Sequence, residues 1–211
     1  SGRVYPEEVF VELGRLLKNR PRIVVISDEP YRKLVYDDRQ VPSVLKHVPN
    51  SVVITSASKE LSLAGQRIGY IAVGGGIKDK PKFIGALVLA TRILGFVNAP
   101  AVMQKVYAAG LKSGESVDVS LYKRRRDLFT GILDSAGLTY APPEGAFYLF
   151  VKSPIEDDVA FCTELLKENI LAVPGKGFGY PGYVRFTYCV GEASIRGCAP
   201  GLKRVMESLN R

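Results

Sequence analysis

Three short β-branched runs constrain this chain most: Arg22–Asp28, Ser51–Ser56 and Ile68–Val73. Each is too short for a helix and apolar through its middle, and the first two end in polar residues. Buried parallel strands read this way, and open α/β sheets bind ligands beyond the carboxyl ends of their strands. Ahead of them, Pro6 followed by Glu7-Glu8 suits a first helical turn, with Val9, Leu13, Leu16 and Leu17 expected on one buried face. The first half therefore predicts an α/β unit with a mostly parallel sheet.

From Lys80 to Gly114 two helical patterns meet near Asn98-Ala99-Pro100. A longer pattern from Ser116 carries Val117, Leu121, Leu128 and Ile132, and Gly137 stops it, which suits a helix joining two domains. Beyond it, Phe147–Val151 and Tyr183–Tyr188 read as strands, with helices at Asp158–Asn169 and Ala193–Leu209. Strands and helices in that order predict a small α+β domain. The expected boundaries are 1–115 and 116–211.

Composition narrows the function classes. With 46% hydrophobic residues among 211, the chain can bury a real core, and disorder is excluded. Only three cysteines (Cys162, Cys189, Cys198) and one histidine, His47, are present, which argues against a disulfide scaffold, a zinc site and histidine-dependent hydrolases. No apolar run approaches the ~20 residues of a membrane span, and the start lacks a signal-peptide pattern, so a soluble cytoplasmic protein without a membrane partner is expected. The net charge of +8 favours anionic partners only in a general way. Lys123-Arg124-Arg125-Arg126 has no interleaved aromatics and reads as the solvated side of a helix, not a nucleic-acid patch. Gly74-Gly75-Gly76 and Gly175-Lys176-Gly177-Phe178-Gly179 lack phosphate-loop spacing and read as turns; His47 reads as a surface residue.

The chemistry-bearing residues cluster after the strands. Asp28 and Tyr31 follow the first, Ser56-Ala57-Ser58-Lys59 the second, and Gly65-Gln66-Arg67 precedes the third. Taken singly, Asp28 could be a turn residue, Tyr31 an aromatic packing beside Tyr36, and Lys59 or Arg67 solvated. Jointly, Asp28-x-x-Tyr31, Ser56-x-Ser58-Lys59, an arginine eight residues past that lysine and the late Arg185 resemble the fold-type I, class I/II pyridoxal-phosphate aminotransferases. The segment Pro143-Glu144-Gly145-Ala146-Phe147-Tyr148 is similar to one in that family as well.

The resemblance implies an α/β fold, namely the later part of the large cofactor-binding domain followed by the small domain. It also implies pyridoxal 5'-phosphate as cofactor, no metal, amino acid and 2-oxo acid substrates, and a homodimer. Lys59 would carry the cofactor and shuttle the proton. Asp28 would hold the ring nitrogen's proton, and Tyr31 would donate to the phenolate oxygen. Ser56, Ser58 and Arg67 would hold the phosphate, and Arg185 the substrate carboxylate.

The family's subunit is roughly twice this long, and its glycine turn, ring-stacking aromatic and Asn-Pro-x-Gly asparagine precede the aspartate. Ser1-Gly2 matches the end of that asparagine segment. A C-terminal half, inactive by itself and with a bared sheet edge, is the resulting expectation. A carbon–sulfur β-lyase would share the same residues, and a ligand-sensing regulator would share the fold.

Overall fold

A computed structural model describes residues 2–209; of the Ser1-Gly2 pair, Ser1 lies outside the described residues. By their contacts, the described residues divide into two compact units. One is Val4–Val117, and the other runs from Asp118 onward together with Gly2 and Arg3.

The first unit opens with α1 (Glu7–Leu17), whose Phe10, Leu13 and Leu17 pack on Val44, Val48 and Val53. The buried stripe is thus rotated from the expected one: Val9 and Leu16 are 44% and 55% exposed, because Phe10 supplies the apolar contact instead. Gly14 lets α1 approach α2 (Val44–His47), since a Cβ there would stand 2.2 Å from the His47 carbonyl oxygen. His47 is not a plain surface residue. Its side chain is largely covered, and Nε2 lies 2.7 Å from Glu7.

Strands β1 (Val25–Asp28), β2 (Ser51–Ser56) and β3 (Gly69–Val73) form one sheet in the order β1-β2-β3. β1 and β2 are parallel as expected, but β3 runs antiparallel to β2, so the sheet is mixed. The reason lies in the connection. After β2 the chain makes only the single turn α3 (Ala57–Glu60) and a 3-10 turn, Ala64–Gln66. A parallel partner needs a crossover that carries the chain back along the sheet, whereas this link returns at the same end. α4 (Lys80–Ile93) and α5 (Ala101–Ser113) complete the unit, α5 ending at Gly114 in the left-handed conformation.

In the second unit α6 (Val119–Ser135) is capped by Asp118, whose carboxylate accepts the Leu121 N–H at 3.1 Å. It is followed by β4 (Tyr148–Lys152), α7 (Asp158–Lys167), β5 (Val173–Pro174), β6 (Tyr183–Thr187) and α8 (Glu192–Leu209). The strands make an antiparallel sheet in the order β4-β6-β5. Leu149 and Val151 pair with Phe186 and Val184, and all four are buried. Phe129, Leu133, Phe161, Leu165 and Leu202 are buried in the same unit. Each such side chain contributes about 1.5–3 kcal/mol of transfer free energy. The basic run on α6 is not uniformly solvated. Arg126 is largely covered, donating to the Pro143 carbonyl at 3.2 Å and pairing with Asp127, whereas Arg124 is exposed.

No helix among the described residues is long and apolar enough to cross a membrane. No group of three or more His, Cys, Asp or Glu among them is arranged to hold a metal ion.

Candidate functional site

The mixed sheet sets one end apart. Because β1 and β2 are parallel and β3 returns from the carboxyl end of β2, three chain segments reach it: the end of β1, the end of β2 and the start of β3. Asp28 is the last residue of β1, opposite Ile54. Ser56 is the last residue of β2, opposite Gly69. Lys59 and Ser58 sit on α3 directly beyond Ser56, and Arg67 lies two residues before Gly69. Five of the seven residues singled out from the sequence thus lie at one end of the sheet, the carboxyl end of β1 and β2.

Local chemistry explains the arrangement. Ser56 ends the strand and caps α3, its hydroxyl accepting the Ser58 N–H at 3.4 Å. Gly69 permits the close approach at that point, since a Cβ there would meet the Thr55 carbonyl oxygen at 2.3 Å. The Ala57 N–H donates to the Ile68 carbonyl at 3.0 Å, so α3 and the residue after Arg67 are tied together. Arg67 itself is left-handed, at φ 50° and ψ 49°. That conformation costs a non-glycine residue about 1–3 kcal/mol, and the surrounding turn has to hold it. Its guanidinium donates to the Ala64 carbonyl at 2.9 Å, using one of its five N–H donors.

Tyr31 belongs to the turn after β1, where its carbonyl accepts the Leu34 N–H at 2.8 Å. That turn is pinned by two residues the sequence did not single out. Arg32 pairs with Glu29 at 2.7 Å and donates to the Val41 and Pro42 carbonyls at 2.5 and 3.2 Å. Glu29 also accepts the Ser27 hydroxyl at 2.8 Å. The Glu-x-x-Arg spacing was a visible signal for this tie.

Arg185 stands in the second unit, on β6. Strand alternation turns it away from the core residues Val184 and Phe186 and sets it opposite Phe150. Its guanidinium lies over two aromatic rings, 4.5 Å from the centroid of Tyr148 and 4.2 Å from that of Phe178. Both distances are within the range of cation–π attraction. Phe178 comes from the 3-10 turn Gly175–Phe178, within the glycine-rich segment expected to be a turn. Gly175 is required there, because a Cβ would stand 2.2 Å from the Tyr180 carbonyl oxygen. Nothing in the sequence around Phe178 pointed to a ring beside Arg185.

Comparison with known proteins shows which family the chain resembles. The family described as aminotransferase class I and II matches residues 1–198. An aspartate aminotransferase of Thermotoga maritima is 33% identical over the whole of this chain, which covers 53% of that protein. The crystal structure of an amino transferase from Eubacterium rectale superposes with a TM-score of 0.93 at 40% identity, over 100% of this chain and 54% of that one. A double mutant of the Thermus thermophilus aspartate aminotransferase gives 0.85 at 29% identity, over 97% and 54%. The chain therefore spans about half the length of the relatives it matches. With a match over nearly its full length and strand-end residues at the family's spacing, the chain belongs to the class I and II aminotransferases.

Proposed function

We propose that the intact protein, of a length like that of its relatives, transfers an amino group between an amino acid and a 2-oxo acid, using pyridoxal 5'-phosphate held at the carboxyl end of β1 and β2, and that this chain alone is inactive. The observation that carries this reading is the meeting of Asp28, Ser56, Ser58, Lys59 and Arg67 where β1 and β2 end and β3 begins. The donor set fits the cofactor: one amine for an aldehyde, one carboxylate for a ring nitrogen, and two hydroxyls with a guanidinium for a phosphate.

When bound, the cofactor supplies an electron sink for the carbanion left at the substrate Cα. The protein's groups do the rest. Lys59 Nζ would hold the cofactor and, when free, would take the proton from the substrate Cα and deliver it to the cofactor's aldehyde-derived carbon. Asp28 keeps a proton on the ring nitrogen, which strengthens the sink. Tyr31 donates a hydrogen bond to the phenolate oxygen, while Ser56, Ser58 and Arg67 bind the phosphate and fix the ring's position. Arg185 takes the substrate carboxylate by its fork. Relatives named aspartate aminotransferases support aspartate as an amino donor.

Borohydride reduction of the cofactor-loaded protein, followed by peptide mapping, should place the pyridoxyl group on Lys59. Lys59→Ala should lose that label and the transfer of nitrogen from aspartate to 2-oxoglutarate. A label spread over exposed lysines and indifferent to Lys59→Ala defeats the assignment. Release of ammonia without a 2-oxo acid acceptor would point to a lyase instead.

A further inference from the structure

We infer that Glu60 and Tyr107 are positioning residues that fix the turn bearing Lys59. The inference rests on Lys59 being the cofactor lysine.

The turn needs fixing because α3, Ala57–Glu60, has only four residues. Isolated helices shorter than ~12–15 residues are marginal in water, so its conformation has to come from tertiary ties. Two residues three apart, Ala57 and Glu60, share one face and are buried at 0% and 4% exposure, while Ser58 and Lys59 are half-buried. Ala57 packs in a cluster with Ile68 and Tyr107. Glu60 is held at both ends. Its carboxylate accepts the Tyr107 hydroxyl at 2.6 Å, and its carbonyl accepts the Val117 N–H at 2.9 Å. Lys59 thus lies directly beside a residue tied to α5 and to the end of the unit.

The choice of a carboxylate is informative. A leucine at this position would cover the same surface without desolvating a charge, whereas a buried carboxylate is costly unless it is paired. What the carboxylate adds is direction, since a bond from a phenol to a carboxylate is short and charge-assisted. Burial first, and then the bond to Glu60, push the Tyr107 hydroxyl far above its ordinary range. The Tyr70 ring packs against Tyr107, with centroids 5.9 Å apart. α5 also crowds the next residue of the lysine segment, since a Cβ on Gly110 would stand 3.1 Å from Leu61 Cδ1.

Two measurements test this together: amide hydrogen exchange across residues 57–61, which needs no cofactor, and the fraction of reduced pyridoxyl label that falls on Lys59. Tyr107→Phe removes only the hydroxyl. Glu60→Leu removes the acceptor yet keeps the surface covered, so the chain still folds if Tyr107→Phe does not. Either variant should speed exchange at 57–61 roughly tenfold or more relative to β2, the loss expected for a hydrogen bond to a charged group. Either should also divert label from Lys59 to other lysines. Glu60→Gln keeps an acceptor oxygen and should restore most of both. Unchanged exchange and labelling, or faster exchange spread evenly through the unit, overturn the inference while leaving the assignment of Lys59 intact. Complete wild-type protein that takes no label at Lys59 overturns that assignment, and the inference with it.

Discussion

Arg185 shows what a residue's surroundings add to its identity. The sequence marks it as an arginine among apolar neighbours, and alternation alone turns it away from Val184 and Phe186. Its company, the Tyr148 and Phe178 rings, depends on which side chains face one another across β4 and β6 and on where the 175–178 turn lies. Local spacing carries neither fact. The rings hold the guanidinium from their faces, and its N–H fork is the part that the proposed function assigns to the substrate carboxylate. Phe178→Leu should therefore raise KM for the amino acid about 3- to 30-fold, in line with a partly desolvated cation–π contact, while kcat changes less. Arg185→Ala should cost more, about 2–5 kcal/mol in kcat/KM, because the charge itself is lost. Steady-state kinetics with varied amino acid check both, and an unchanged KM in Phe178→Leu would reduce the ring to packing. The placement of Asp28, Ser56, Lys59 and Arg67 beside the strand ends follows from local spacing and was legible in the sequence. Glu60 and Tyr107, 47 positions apart, were not.

Among the elements, those fixed by strong periodicity or clear stop signals appear where the sequence puts them: β2, α4, α5 and α7. The direction of β3 was not legible, because an apolar run looks the same whichever way its neighbour runs, and only the short connection after β2 decides it. β5, two residues long, has no periodicity to detect. It leads into the turn that carries Phe178, and that turn is held from α7. Asp158, 3% exposed, accepts the Lys176 N–H at 2.9 Å, while its neighbour Asp157 separately caps the helix through the Val159 and Ala160 N–H groups. Asp158→Ala should leave the Lys176 N–H unpaired and destabilise the unit by about 1–3 kcal/mol in urea unfolding. Asp158→Asn, which retains an acceptor oxygen, should recover most of that loss. Equal midpoints for the alanine variant and wild type would show that the turn stands without this bond.

At the scale of the whole molecule, the α/β character was legible, because it follows from the order of strand-like and helix-like segments, whereas the grouping of Gly2 and Arg3 with the unit that begins at Asp118 was not. Nor was what each unit leaves uncovered. β1 and β3 are the outer strands of their sheet, and each is paired on one side only. Ile26 on β1 is 65% exposed, and Ile54 and Ile71, opposite one another on β2 and β3, are 37% and 43% exposed. The end of α4 and the link to α5 add Ile93, Leu94, Phe96 and Val97, all between 57% and 75% exposed. Unpaired edges beside apolar side chains are what soluble proteins normally cover, and relatives about twice as long have the chain length to do so. The 211-residue chain alone should therefore self-associate, its weight-average mass in sedimentation rising with concentration. Ile26→Lys puts a charge on the open edge of β1, and Phe96→Ser removes the most exposed ring of the link. Each should shift the association to higher concentration without lowering the thermal midpoint, since neither side chain contributes to the core. A chain that stays at monomer mass across the whole concentration range would show that this apolar surface is tolerated in water.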